Sequence, residues 1–197
     1  MKKISSEYIV DSLDLENADG PFNLEIFAGD PDDTNALFFY TGAMDVLYPY
    51  IESGKLIVKS GETDFETVAT DNWMSSLATE RMMRILNDNY SDGENIDAIM
   101  CSNDSTAYGA ILALQENYSG SWPVITGQDC DILNVKFILN GEQSMSIFKE
   151  SSALETVAAN MVDQILKGEV VDINDVGTYD NGLGAVPSFL CEVVSVD

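Results

Sequence analysis

The chain has 197 residues, of which 45 % are hydrophobic, and this length and apolar content suit a folded chain with a substantial core rather than a disordered one. Its 34 acidic residues outnumber its 9 basic residues, for a formal net charge of −25. This balance argues against binding to nucleic acid or to an anionic membrane, because phosphate groups are neutralised by clusters of Lys and Arg. The absence of histidine removes Ser-His-Asp and Cys-His catalysis and every histidine-based metal site.

Hydrophobic periodicity predicts a regular alternation of helices and strands along the chain. The predicted helices cover residues 4–13, 73–90, 131–139 and 152–167. Another is capped by Asp33 or Thr34 and ended by Gly54, and a further one carries Ala107, Ile111 and Leu114 and continues to about Asn117. The predicted strands cover residues 22–27, 56–59, 96–101, 122–126 and 144–148, with a strand-like segment at 186–194. Residues 60–71 are expected to form a loop, and residues 91–93 to end a helix.

The three cysteines, Cys101, Cys130 and Cys191, have no close spacing, and their odd number predicts at least one free thiol. Residues 1–5 lead directly into a helical pattern without an apolar segment, so no signal peptide is expected in this sequence. No apolar run approaches the ~18 to 20 residues needed to span a bilayer.

The repeated strand and helix pattern predicts an α/β fold, in which a parallel sheet carries helices on both faces. Right-handed crossovers place all strand carboxyl ends at one edge of such a sheet. Ligands bind at that edge, near the point where the strand order reverses. Three predicted strands end in polar segments, at residues 29–35, 102–107 and 127–129, and we expect these segments to form a binding site.

Several sequence runs resemble one known family. They are FAGDPDDTNA at residues 27–36, VITGQD at 124–129, GEQ at 141–143 with IFK at 147–149, and TYDNG at 178–182 with VPS at 186–188. In this order they resemble the multiple-monosaccharide-binding proteins of bacterial ABC transporters. These are type I periplasmic binding proteins, relatives of the ribose-, xylose- and galactose-binding proteins. The resemblance implies a Rossmann-like lobe, one of two that enclose a sugar and are joined by three crossing segments.

The resemblance also implies a division of the chain. Residues 1–150 correspond to the sugar-binding C-terminal lobe, residues 151–168 to a helix that packs on the N-terminal lobe, and residues 169–197 to a crossing segment and the final strand. The N-terminal lobe and signal sequence have no counterpart here, so a domain fragment is expected, from a full-length protein located in the periplasm or on the cell surface as a lipoprotein. The apolar stripe of the helix from Ser152 to Lys167 then needs another partner, such as a second copy of the chain.

Sugar recognition uses planar amides and carboxylates that pair with adjacent hydroxyls, and an aromatic ring against the apolar face of the sugar. The resemblance implies that Asn103 supplies an amide and that Asp129 supplies a carboxylate accepting two hydroxyls. Asp104 is expected to cap the helix that follows Asn103. The resemblance further implies that Trp73 is the aromatic platform, with a core tryptophan at a helix start as the alternative.

Two further positions allow more than one interpretation. Asn35 occupies a place where xylose-binding members put an amide near the ligand, or it caps backbone N–H groups at a helix start. Lys149 occupies the place of a polar ligand or hinge residue, or it is an exposed lysine of a crossing segment. The predicted sugar-binding set is therefore Asn35, Trp73, Asn103, Asp129 and Lys149.

These residues favour capture of a monosaccharide without chemistry, with no cofactor or metal. The resemblance implies an ABC transporter permease as the partner of the full-length protein. One alternative is a carboxylate-based carbohydrate-active enzyme, although paired carboxylates arise by chance among 34 acidic residues. A calcium site at Asp30, Asp32 and Asp33 would lack the glycine and the terminal glutamate of an EF-hand. A sugar-sensing regulator of the same fold is disfavoured by the acidity and by the lack of a helix-turn-helix. Weak or undetectable sugar affinity is expected of this chain alone.

Overall fold

The computed structural model describes residues 3–91 and 93–197, so the predictions for residues 1–5 and 91–93 lie partly outside the described residues. The chain divides into two compact units. The first runs to Phe148 and includes Ser195–Asp197, and the second is Lys149–Val194.

The secondary structure alternates as the periodicity predicts. The strands are β1 (Phe22–Phe27), β2 (Leu56–Ile57), β3 (Ala98–Cys101), β4 (Val124–Ile125), β5 (Ser146–Phe148) and β6 (Val194–Val196). The helices are α1 (Ile4–Ser12), α2 (Thr34–Glu52), α3 (Phe65–Val68), α4 (Ser75–Asn89), α5 (Asp104–Asn117), α6 (Ile132–Leu139) and α7 (Ser151–Lys167), with a 3₁₀ turn at Asp71–Trp73. Within the described ranges, no helix has both the length and the apolar character needed to cross a membrane.

Four parallel strands form the central sheet, in the order β2-β1-β3-β4. In the longest pairing, Leu24 lies opposite Ala98 and Phe27 lies opposite Cys101. A parallel bridge between Gln128 and Ile147 brings β5 beside the chain that leaves β4, and β5 pairs with β6. The predicted α/β class with a parallel sheet is confirmed.

Each face of the sheet buries its own hydrophobic cluster. Alternation along β1 sends Leu24 and Ile26 to the side packed by α1 and α2, whereas Phe27 faces α4 and α5. Cys101, at the end of β3, is fully buried beside Phe27 in the second cluster. Burial raises the pKa of its thiol, so Cys101 behaves as a small hydrophobic residue. Burial on both faces explains why β3 is continuously apolar.

Two predicted segments differ from the structure. Residues 60–71 were predicted as a loop but contain α3, whose Val68 is fully buried and accepts a hydrogen bond from the Ala28 N–H at 2.9 Å. The strand predicted at residues 186–194 is wrong over residues 186–193, where only Ser188 forms an isolated bridge, and the strand is Val194–Val196. A strand needs a hydrogen-bonded neighbour as well as apolar residues, and the pattern shows only the residues.

The second unit contains α7, in which no residue is buried. The helix ends at Gly168, which has φ 70° and is the left-handed cap that the sequence predicts. Its apolar stripe is exposed, with Leu154 at 59 % and Leu166 at 81 % of their surface. The remainder of the unit is loop, in which antiparallel bridges pair Asp175 with Ser188 and Asp180 with Ala185.

Candidate functional site

Polar segments follow β1, β3 and β4 at the carboxyl edge of the parallel sheet. β1 and β3 are hydrogen-bonded neighbours, and the chain continues from them in opposite directions, to β2 on one side and to β4 on the other. Their carboxyl ends therefore flank the switch point, which is where such sheets bind ligands. The three predicted segments all lie along this edge.

The acidic loop after β1 is organised by its own carboxylates. Asp30 accepts hydrogen bonds from the backbone N–H groups of Asp32, at 2.7 Å, and of Asn72. Asp33 caps α2 and accepts from the N–H of Asn35 at 2.8 Å, so one of the two predicted caps is confirmed. These carboxylates bind backbone amides, and over residues 3–91 and 93–197 no group of three or more Cys, Asp or Glu is placed to hold a metal ion.

Trp73 packs its indole ring against the backbone of Gly29, at the end of β1. A methyl group at Gly29 would overlap the six-membered part of that ring, so only glycine leaves room for it. The Thr70 N–H donates to the Gly29 carbonyl at 3.0 Å, and the Trp73 N–H donates to the Thr70 carbonyl at 3.0 Å. The ring is half-buried, so Trp73 lies at the sheet edge and is not a core tryptophan.

Asn103 caps α5, and the prediction that Asp104 does so is wrong. The Oδ1 atom of Asn103 accepts hydrogen bonds from the N–H and from the hydroxyl of Thr106, both at 3.0 Å. Among the described residues its Nδ2 has no hydrogen-bond partner, and 9 % of Asn103 is exposed. The oxygen is therefore committed to the helix cap, whereas the amide nitrogen is available to a ligand.

Asp104 is the first residue of α5 and the centre of a buried polar network. Its carboxylate accepts hydrogen bonds from Gln143 Nε2 at 3.0 Å, from Ser146 Oγ at 2.8 Å and from the Asp131 N–H at 2.8 Å. Burial raises the pKa of the Asp104 carboxyl to about 6, and these three hydrogen bonds oppose that rise. A methyl group at Gly127 would collide with Asp104 and Gln143, so the network fits closely against the backbone.

Asn134 completes this network from α6, and sequence reasoning missed it. Its Nδ2 donates to Gln143 Oε1 at 2.8 Å and to the Asp104 carbonyl at 2.9 Å. Asn134 is 2 % exposed and follows Ile132 and Leu133 in a helix whose other residues are apolar except for Lys136. An amide at a buried position of an apolar helix was the signal that could have revealed a polar partner.

Asp129 is exposed in the loop after β4, on a backbone that few side chains adopt. The φ angles of Asp129 and Cys130 are 100° and 53°, and such conformations cost non-glycine residues about 1–3 kcal/mol unless their surroundings fix them. The Asp129 N–H donates to the Ile147 carbonyl at 2.9 Å, and the Cys130 N–H donates to Ser146 Oγ at 3.1 Å. These bonds hold the loop that carries Asp129 in one conformation.

The remaining two predicted residues differ in placement. Asn35 is exposed in the first turn of α2, and because Asp33 supplies the cap, the alternative that Asn35 caps the helix is wrong. Lys149 is half-buried and is the first residue of the second unit. The sheet edge of the first unit therefore includes Asn35, Trp73, Asn103 and Asp129.

Two buried hydroxyls at this edge, Thr70 Oγ1 and Ser102 Oγ, lack a hydrogen-bond partner among the described residues. Thr70 is 2 % exposed and Ser102 is 7 % exposed. An unpaired buried polar group costs roughly 1–3 kcal/mol, and an ordered water or a ligand hydroxyl would satisfy it. The edge therefore keeps unused hydrogen-bonding groups close to its polar loops.

A second buried carboxylate, Glu25, lies within β1 and was not singled out from the sequence. It is fully buried and accepts hydrogen bonds from Ser60 Oγ at 2.6 Å and from the Tyr90 hydroxyl at 2.8 Å. Burial raises its pKa, against the opposing effects of Ser60, Tyr90 and the positive charge of Arg81. Arg81 in turn donates to the Ile26 carbonyl at 2.7 Å.

A cavity of about 570 Å³ lies elsewhere in the first unit, near the carboxyl ends of α4 and α5. Its lining includes Tyr90, Glu94, Asn117 and Tyr118, and none of the predicted sugar-binding residues. It lies at the opposite ends of these helices from the polar loops, and Arg84 and Asp88 also line it.

Residues 5–170 match the periplasmic binding protein domain family. The multiple sugar-binding periplasmic receptor ChvE of Rhizobium radiobacter is 42 % identical over 198 residues, which cover 98 % of this chain and 56 % of the receptor. The D-xylose-binding periplasmic protein of Haemophilus influenzae is 35 % identical over 176 residues, or 89 % of this chain and 49 % of that protein. The chain thus spans about half the length of these curated relatives.

Solved structures give the same result for the fold. An ABC transporter solute-binding protein from Clostridium phytofermentans, with bound β-D-glucose, superposes with a TM-score of 0.94 at 56 % identity and covers 98 % of this chain and 60 % of that one. A carbohydrate transporter solute-binding protein from Chloroflexus aurantiacus, in complex with D-glucose, gives a TM-score of 0.83 at 28 % identity over 98 % of this chain and 59 % of that one. The match over residues 5–170 confirms the resemblance found in the sequence, and the chain belongs to the periplasmic binding protein domain family.

Proposed function

We propose that the first unit binds a monosaccharide at the carboxyl edge of its sheet, without chemistry, as one lobe of an ABC-transporter solute-binding protein. The observation that carries the proposal is the presence of an amide, a carboxylate and an aromatic ring along the carboxyl edge of one parallel sheet. These are the three kinds of group that recognise sugar hydroxyls and the apolar face of a sugar ring.

Each residue has a defined part in the proposal. Asn103 donates from Nδ2, because its Oδ1 is used by the helix cap. The exposed Asp129 accepts hydrogen bonds from two adjacent hydroxyls, and Trp73 packs against the C–H face of the ring. Asn35 adds an amide from the start of α2, and Lys149 is the polar ligand or hinge residue that the resemblance implies.

The relatives support the choice of ligand and the setting. ChvE and the Haemophilus protein are named for binding several sugars and D-xylose, and the two solved structures contain glucose. We therefore take D-glucose and D-xylose as the first candidate ligands. In the whole protein, residues 1–150 would be the C-terminal lobe, 151–168 a helix that packs on the other lobe, and 169–197 the crossing segment with the final strand. That protein would act outside the cytoplasm and deliver sugar to a membrane permease.

The test is an NMR titration of the ¹⁵N-labelled chain with D-glucose and D-xylose. We expect millimolar affinity, because one lobe supplies only part of the contacts, and shifts in the backbone amides of Asn103 and Asp129 and in the indole N–H of Trp73. Asp129→Asn should weaken binding roughly tenfold, because a hydrogen bond to a charged group contributes about 1.5–3 kcal/mol. Glu116→Gln, which changes an exposed carboxylate near the end of α5 and outside this loop, is the matched control and should leave the affinity unchanged.

Three results would contradict the proposal or a part of it. Absence of any shift at the sheet edge with both sugars would contradict sugar binding by this unit. Shifts confined to the cavity near α4 and α5 would place a ligand elsewhere. Micromolar affinity for the chain alone would contradict the view that it supplies only part of the contacts.

A further inference from the structure

We infer that Asp104 is the positioning residue of the proposed sugar site, because it fixes the loop from Gly127 to Asp131 that presents Asp129. The inference rests on the proposed function for the identity of the ligand, whereas the positioning itself is a property of the unliganded chain. Asp104 is 0 % exposed, so it acts through the loop and does not touch the sugar.

Hydrogen bonds from Asp104 bracket Asp129 on both sides along the chain. The Asp104 N–H donates to the Gln128 carbonyl at 2.9 Å. Its carboxylate accepts from the Asp131 N–H at 2.8 Å. One residue of α5 therefore holds the loop immediately before Asp129 and two residues after it.

A third connection runs through Ser146 of β5. The Ser146 hydroxyl donates to Asp104 Oδ1 at 2.8 Å and accepts from the Cys130 N–H at 3.1 Å. A hydroxyl has one hydrogen and two lone pairs, so it makes both bonds at once. The carboxylate therefore orients the hydroxyl that holds Cys130, one of the two residues of this loop that have a positive φ angle.

The chemistry of this position requires an acceptor on both oxygens. Oδ1 accepts from Gln143 and Ser146, and Oδ2 accepts from the Asp131 N–H. An ionised carboxylate has no hydrogen and accepts all three, whereas an asparagine amide would direct an NH₂ group at either Gln143 or Asp131. Asp104→Asn keeps the shape of the side chain and still breaks the network.

The experiment compares Asp104→Asn with Glu25→Gln, a matched loss of charge at a second fully buried carboxylate of the unit. Amide hydrogen exchange is measured by NMR for both variants, followed by titration with D-glucose and D-xylose. We expect Asp104→Asn to speed exchange of the Cys130 and Asp131 amides at least tenfold and to weaken sugar binding by a similar factor. Glu25→Gln should lower the overall stability yet leave exchange of that loop and the sugar affinity unchanged.

Ser146→Ala provides a second variant should Asp104→Asn not fold. It keeps the carboxylate, removes the two bonds of the hydroxyl, and should speed exchange of the Cys130 amide more than that of Asp104. An unchanged loop in Asp104→Asn and Ser146→Ala overturns the inference, as does equal loosening of the loop by Glu25→Gln. A loosened loop with undiminished sugar affinity also overturns it.

The two proposals fail in distinguishable ways. A wild-type chain that binds neither sugar contradicts the proposed function, while loop exchange in Asp104→Asn still decides whether Asp104 positions the loop. A wild-type chain that binds sugar, together with an Asp104→Asn variant that binds it equally well, contradicts the positioning role and leaves the proposed function in place.

Discussion

Glu25 and Asp104 are two carboxylates of the same unit, each 0 % exposed, and they differ in the kind of group that surrounds them. Glu25 lies within β1, with the hydroxyls of Ser60 and Tyr90 as donors and the positive charge of Arg81 nearby. Its partners therefore join a central strand to the segment after β2 and to the end of α4. Its role is to satisfy and stabilise the core of the sheet.

Asp104 lies just beyond the end of β3, where its partners belong to the loops of the sheet edge. They are a backbone N–H from the loop after β4, an amide from Gln143 and a hydroxyl from Ser146. Burial raises the pKa of both carboxyls, yet only one of them holds a candidate ligand loop. Position along the strand, and not the degree of burial, decides whether such a group serves the core or the site.

The largest effect that we expect is on the pH dependence of the free energy of unfolding, through the Asp104 carboxyl. Its pKa rises from 3.8 to about 6 on folding, which corresponds to about 3 kcal/mol at ~1.4 kcal/mol per pH unit. A raised carboxyl pKa gives stability that is present below about pH 4 and lost as the pH rises through about 6. The free energy of unfolding of the wild type, minus that of Asp104→Asn, should therefore fall by about this amount between these pH values. Urea unfolding at a series of pH values measures this difference, and a flat profile would contradict it.

The next largest loss of stability should come from a steric change beside Asp104. Gly127→Ala adds a methyl group that collides with Asp104 and Gln143, and overpacking of this kind costs about 1–3 kcal/mol. Gly177→Ala is the matched control, because a methyl group there meets no atom within 4 Å, and it should change stability by less than about 0.5 kcal/mol. Chemical denaturation of both variants at neutral pH tests this, and equal effects would show that the network has room.

Tyr90→Phe removes one hydrogen-bond donor from the buried carboxylate of Glu25. We expect a loss of about 1–2 kcal/mol in the free energy of unfolding and a further rise in the pKa of Glu25, since the lost hydrogen bond lowers that pKa. Tyr48→Phe is the control, because Tyr48 is 55 % exposed. Thermal and urea unfolding at neutral pH give the comparison, and indistinguishable variants would mean that the hydroxyl contributes nothing.

The smallest effect should come from the half-exposed ion pair between Arg84 and Glu62. Glu62 also pairs with Arg81, the residue whose positive charge acts on Glu25. Arg84 pairs with Glu62 at 2.7 Å but is half-exposed, whereas Arg81 pairs with the same carboxylate from a more buried position. Arg84→Ala should cost no more than about 0.5 kcal/mol and less at high salt. A double-mutant cycle with Glu62→Gln at low and high salt measures this coupling. A coupling energy above about 2 kcal/mol between Arg84 and Glu62 would contradict this prediction.

Much of the candidate site could be predicted because its signals are local. The polar runs after β1, β3 and β4, and the cap at Asp33, are readable from a few neighbouring residues. The role of Asp104 was not readable in this way, because Asn103 and Asp104 are both good cap residues. The choice between them is made by Gln143 and Ser146, whose place in space no local pattern reveals.

The sequence by itself determined the α/β class, the order of helices and strands, and the polar ends of the strands, because these follow from periodicity and capping over short distances. Only the tertiary structure decided which carboxylates are buried, that Trp73 rests on Gly29, and that one residue of α5 holds the loop of Asp129. The partners of Asp104 lie up to 42 residues away along the chain. Such contacts form only when the sheet brings their strands together.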